Sequence, residues 1–222
     1  MDLARIKPWG SLNWPNRISL LRLLMVVPFV IMLMNQRQWP GARYVAMVIF
    51  AAMALSDVLD GYLARRLGVR TRLGAILDPL ADKVMIICAT VLLSLPDSWV
   101  AGAPLANWVV VTIVGKDLWV IVGFVVIYLV TDRFRVHPTT MGKACTFSQS
   151  CMVALTLLAP DLNLLYAELG TWIARLVSWG VALLCVVAAA SYTLLGLAFV
   201  ATEEKPLNGT AGNPADSADE HD

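Results

Sequence analysis

The sequence predicts an all-α integral membrane protein of six transmembrane helices, preceded by a short interfacial amino-terminal segment. Composition is the first reason: of 222 residues, 59% are hydrophobic and only 15% charged, where soluble domains carry about a quarter charged residues. The second is length, because several apolar stretches approach or exceed the ~20 residues that cross a bilayer as a helix. The third is the placement of Lys and Arg, which gather at alternate connections. The total charge of +1 is uninformative by itself, and no nucleic-acid partner is expected.

Residues 1–16 hold Leu3, Ile6, Trp9 and Trp14 among Arg5 and Lys7, broken by Pro8 and Pro15. That mixture fits a segment lying along the membrane surface. The membrane domain, residues 17–201, is expected to span near 17–35, 42–66, 72–95, 106–130, 141–160 and 170–200. The first apolar stretch lacks a small-residue cleavage site and reads as a retained helix. From 202 to 222 the chain turns polar and acidic, with nothing to bury, and a disordered tail is expected. Cys88, Cys145, Cys151 and Cys185 lie inside apolar stretches without a CxxC pair, so they read as small packing residues.

Arg5, Lys7 and Arg17 precede the first span; Arg65, Arg66, Arg70 and Arg72 follow the second; Arg133, Arg135 and Lys143 follow the fourth. The positive-inside rule places both termini and these connections in the cytoplasm. Arg37 and Arg43, between the first two spans, argue weakly the other way. Trp39, Trp99, Trp108 and Trp172 fall near the opposite surface, as an aromatic belt does.

Charges inside spans are costly and point to function. Asp57 and Asp60 lie three apart on the second span, Asp78 and Asp82 four apart on the third, so each pair shares a helix face. At roughly 1.5 Å per residue, Asp60 lies about 8 Å from Arg65 and Asp78 about 9 Å from Arg72 along their helices. Both pairs then sit at cytoplasmic headgroup depth. Four converging carboxylates need cations, and oxygen-only donors suit Mg²⁺ or Mn²⁺. A salt-bridged polar core using Arg65, Arg66 or Lys83 is the structural alternative. A membrane cation transporter is another, although transporter sites lie near the midplane at broken helices. No repeat supplies a second half-site here.

The run Asp57-x2-Asp60-Gly61-x2-Ala64-Arg65-x8-Gly74-x3-Asp78-x3-Asp82 resembles the signature of the CDP-alcohol phosphotransferases (CDP-alcohol phosphatidyltransferases) at each fixed position. Pro15-Asn16 through Arg22 is similar to that family's first helix. The resemblance implies transfer of a phosphatidyl or related group from a CDP-linked donor to an alcohol, with release of CMP. It implies two divalent cations, Mg²⁺ or Mn²⁺, at Asp57, Asp60, Asp78 and Asp82, with Asp82 also the general base. Gly61, Ala64 and Gly74 would leave room for the cytidine nucleotide, bound with Asp57, Asp60, Arg65 and Asp78.

Leu77–Lys83, together with Gly142-Lys143-x2-Thr146-x2-Gln149, is similar to the phosphatidylglycerophosphate synthase and cardiolipin synthase branches. The implied donor is CDP-diacylglycerol. The implied acceptor is glycerol 3-phosphate or, in the alternative branch, phosphatidylglycerol. Lys83, Arg133, Arg135 and Lys143 are the candidates for the acceptor's phosphate, with membrane snorkelling or topology-setting the plainer role for each. Gly115-Lys116-Asp117 stands where Arg followed by an acid is expected. Members of the family often form dimers, so a homodimer is an implied assembly.

Overall fold

The computed structural model describes the backbone of residues 14–67, 72–131 and 140–203, and the side chains of 19–57, 80–123, 125, 126 and 141–197. Among these the chain forms six α-helices and no strand: α1 Trp14–Asn35, α2 Gly41–Leu67, α3 Arg72–Ser94, α4 Asn107–Thr131, α5 Thr140–Leu165 and α6 Leu169–Glu203. Every helix reaches the ~20 residues that span a bilayer. By length and apolarity together, one stretch among the described residues qualifies, Leu169–Leu197.

Two boundaries depart from expectation for a physical reason. Trp14–Asn16 belong to α1 and not to the preceding segment, because Pro15 falls in the first turn, where its missing N–H has no partner to lose. The rest of that segment, residues 1–13, lies outside the described residues, as does the tail beyond Glu203. At the other boundary, α5 does not stop at Pro160 but continues to Leu165. Proline removes the bond to the Thr156 carbonyl, and beside it α2 braces the helix on either side of Pro160. Arg43 Nη1 donates to the Leu157 carbonyl at 2.7 Å, and its two guanidinium nitrogens grip both Asp161 oxygens at 2.8 and 2.9 Å. The Tyr44 hydroxyl adds a further bond to Asp161 at 2.8 Å.

The helices pack as two groups. α1 lies against α2 and α3, and α6 lies against α4 and α5. Between them a shared core forms from Phe29, Leu33, Met53, Met85, Ile86, Ile113, Met152 and Leu157, all but inaccessible to solvent. The connections α1–α2, α3–α4 and α5–α6 meet at one end. There Gln36 donates to the Ser98 carbonyl, Arg37 stacks over Trp99, and Thr171 bonds both Gly102 and Asn163. Trp39, Trp99, Trp108 and Trp172 are exposed around this end. Arg37 and Arg43, the weak objections to the charge pattern, are each matched locally by Asp97 and Asp161.

α5 and α6 approach so closely that a side chain at Gly170 would strike the Ala159 carbonyl backbone. Gly170→Ala is therefore expected to destabilise the bundle by about 1–3 kcal/mol through overpacking, read as a lower thermal midpoint in detergent.

Candidate active site

The end opposite the tryptophans carries the acidic signature. α2 delivers Asp57 and Asp60 in its last three turns, and α3 delivers Asp78 and Asp82 in its first three. Asp57 and Asp82 line the same cavity, of about 1080 Å³, which lies between the two helix groups. Asp60 and Asp78 occupy helical positions one turn away, and their side chains lie outside the described ones, as do those of Gly61, Ala64, Arg65 and Gly74. Accordingly, no group of three metal-type ligands occurs among the described residues. The two described carboxylates are hard oxygen donors at one end of a cavity, which fits Mg²⁺ or Mn²⁺.

Asp57 is not loose. Arg22 Nη1, on α1, donates to its Oδ1 at 2.7 Å; the Arg22 side chain is fully buried while that of Asp57 is 45% exposed. Of Arg65, Arg66 and Lys83, the cations of the salt-bridged alternative, Lys83 is the one with a described side chain. Lys83 reaches Asp117 Oδ1 at 2.6 Å, and Lys116 reaches the same oxygen at 2.6 Å. Asp117 thus joins α3 to α4 with two ammonium groups on one carboxylate oxygen. Its buried Oδ2 has no hydrogen-bond partner among the described residues.

Lys83, Lys116, Asp117 and Lys143 all line the cavity that Asp57 and Asp82 line. Its polar end therefore holds both carboxylates and a cluster of three lysines partly offset by one aspartate. Of the residues expected to receive an acceptor phosphate, the structure brings Lys83 and Lys143 together. Arg133 and Arg135 lie outside the described residues. Lys116 and Asp117 are additions, and their signal was present: an adjacent Lys–Asp pair in an apolar stretch is too costly to be idle.

From this polar end the cavity runs on as an apolar furrow between α2 and α5. Met47, Phe50, Ala51, Ala54 and Leu55 form one wall, and Phe147, Ala154, Leu157 and Leu158 the other. The ten-residue separation between Met47 and Asp57 corresponds to about 15 Å of helix. The space suits a ligand that is charged at one end and apolar along the rest.

The cysteines are free. Cys145 and Cys185 are buried with their sulfurs 3.2 Å apart, and Gln149 and Lys116 donate to them. They therefore extend the polar contacts behind Asp117 toward α6 as well as filling space.

The family model described as CDP-alcohol phosphatidyltransferase matches residues 12–200. The chain is 37% identical over 148 residues to a probable phosphatidylglycerophosphate synthase of Mycobacterium tuberculosis, covering 66% of each chain, just under two thirds of that relative. It is 31% identical over 179 residues to the CDP-diacylglycerol–glycerol-3-phosphate 3-phosphatidyltransferase of Aquifex aeolicus, covering 76% of this chain and 92% of that one. The Bacillus subtilis protein of the same name is 28% identical over 176 residues, covering 73% and 87%.

Proposed function

The chain belongs to the CDP-alcohol phosphatidyltransferase family, and from that premise we propose that it transfers a phosphatidyl group from CDP-diacylglycerol to glycerol 3-phosphate. The products are phosphatidylglycerophosphate and CMP, in phospholipid biosynthesis. The observation that carries this reading is the amphipathic cavity, with carboxylates and lysines at one end and an apolar furrow along the rest. The names of the Aquifex and Bacillus relatives point to the same donor and acceptor.

The chain lies in the cell membrane with six spans, its active site and both termini facing the cytoplasm. The outward faces of α1, α4 and α6 support the membrane setting, because Leu20, Leu24, Val27, Ile31, Val111, Leu118, Leu176 and Leu183 are all exposed, while the orientation rests on the placement of Lys and Arg. So continuous an apolar exterior around an apolar core suits lipid and not water.

Within that setting the furrow takes the donor's acyl chains and holds its diphosphate at headgroup depth. Asp57, Asp60 and Asp78 would hold two Mg²⁺ or Mn²⁺ ions, with Asp82 beside them, and the ions would supply charge neutralisation for the diphosphate and the departing CMP. Gly61, Ala64, Arg65 and Gly74 take the nucleotide. Asp82 accepts the proton of the acceptor hydroxyl as its oxygen bonds to phosphorus and the bond to CMP breaks. Lys83 and Lys143, with Arg133 and Arg135, hold the acceptor's phosphate. The Asp117 contact keeps Lys83 fixed at the wall until that phosphate arrives.

Hydrogen bonds to charged groups are worth about 1.5–3 kcal/mol. Lys143→Met is therefore expected to raise KM for glycerol 3-phosphate about 10- to 100-fold, with a smaller change for CDP-diacylglycerol, in steady-state assays varying each substrate. The acceptor itself is tested by offering the purified chain glycerol 3-phosphate, phosphatidylglycerol, inositol phosphate and serine separately, with lipid products weighed by mass spectrometry. Phosphatidylglycerophosphate is the expected product. Cardiolipin from phosphatidylglycerol alone would move the chain to the other branch.

A further inference from the structure

We propose that Arg22 is a positioning residue, whose guanidinium on α1 presets the Asp57 carboxylate for divalent-cation binding. The inference rests on the reading of Asp57 as a metal ligand and adds a residue outside the acidic signature to that site.

The inward stripe of α1 runs Ser19, Arg22, Val26, Phe29 and Leu33, at helical spacing and no more than 5% exposed at any of the five. Arg22 occupies a position where a core side chain belongs. A permanently charged group there carries a desolvation cost that an ion pair offsets only with good geometry, and an apolar residue of similar volume serves the fold at least as well. Packing alone therefore does not call for an arginine.

What the arginine does is shown by its partner. Asp57 is half exposed and lines the cavity, yet its Oδ1 is held at 2.7 Å from behind by a fully buried donor. The contact is lopsided: a fixed cation inside the bundle grips one oxygen of an open carboxylate. The second oxygen is left for a ligand, and the first is tied to a side chain that the bundle itself holds in place. Such outer contacts to ligating groups commonly carry 10–100-fold in metal affinity. Charge alone argues for the opposite sign, since removing a cation beside a site favours binding of another cation. The direction of the effect therefore separates positioning from simple repulsion.

The test is Mn²⁺ binding by the full chain in detergent, followed by electron paramagnetic resonance and expressed per folded protein. Wild type, Arg22→Met, Arg22→Lys, Asp57→Asn and the Arg22→Met/Asp57→Asn double variant are compared. Arg22→Met is expected to weaken Mn²⁺ binding about 10- to 100-fold. Arg22→Lys should lose less, because lysine keeps the charge without the planar fork. In the Asp57→Asn background the Arg22 change should add little, since its effect runs through that carboxylate.

Binding by Arg22→Met as tight as or tighter than wild type overturns the proposal, as does an equal loss in both backgrounds. Should Arg22→Met fail to fold, Arg22→Lys and its double variant with Asp57→Asn carry the comparison, and unchanged affinity in Arg22→Lys overturns it. Wild-type affinity in Asp57→Asn instead removes Asp57 as a ligand, a distinct failure that takes the premise away. An apparent KM for metal that rises more than turnover falls is the corresponding kinetic support.

Discussion

Replacing Asp57 with asparagine is expected to lower CMP release from CDP-diacylglycerol by at least about 10³-fold, because metal stabilisation of the transferring group amounts to several kcal/mol. The protein should remain folded. The amide oxygen of asparagine still accepts from Arg22 but no longer balances its buried charge, so a stability loss of about 1–3 kcal/mol is expected. Asp78→Asn should lose activity to the same degree. Paired measurements of CMP formation and thermal midpoint check both, and wild-type rates in either variant would contradict the metal assignment. A fall in stability matching the fall in activity would mean instead that Asp57 serves the Arg22 ion pair and not the chemistry.

The second large effect concerns Asp82. Loss of a general base commonly costs 10²–10⁴-fold, and Asp82→Asn is expected to fall in that range with KM for both substrates changed only a few-fold. Raising the metal concentration should not restore the rate. Recovery at high Mg²⁺ or Mn²⁺ would make Asp82 a ligand first and would leave the proton to another group. The comparison with Asp57→Asn, in which some recovery at high metal is expected, separates the two roles inside one acidic cluster.

Much of the architecture is written in the sequence because the solvent imposes it. Apolar runs of about 20 residues become helices, since a helix pairs its backbone groups within the segment itself. The observed helices begin and end within a few residues of the expected spans, apart from α5. There the helix runs on past the expected end at 160 to Leu165, and the contacts that hold its continuation come from another helix. Arg43, 118 positions away in the chain, supplies donors beside Pro160 and grips Asp161. No local pattern carries that information.

The site divides in the same way. The carboxylates were legible because four aspartates in two apolar stretches have few explanations, and their spacing alone sets which face they share. Their partners were not. Arg22 was visible only as part of a familiar first-helix run, and nothing at its own position names Asp57 as its partner. Lys83 was expected to meet a phosphate, and in the structure it meets Asp117, a residue noted only because it departs from the usual pattern. Such pairings are decided by helix rotation and crossing, which periodicity does not encode beyond which face is buried. The apolar furrow was likewise invisible, since its lining residues on α2 and α5 look in sequence like any core stripe.

The central claim is that this cavity is the site of a metal-dependent phosphatidyl transfer to glycerol 3-phosphate. Its most direct measurement is CMP release by the purified chain supplied with CDP-diacylglycerol, with metal and acceptor omitted in turn. The expected result is CMP formed in step with phosphatidylglycerophosphate only when Mg²⁺ or Mn²⁺ and glycerol 3-phosphate are both present. Metal uptake into vesicles bearing the chain, with no CMP formed under any of these conditions, would contradict it.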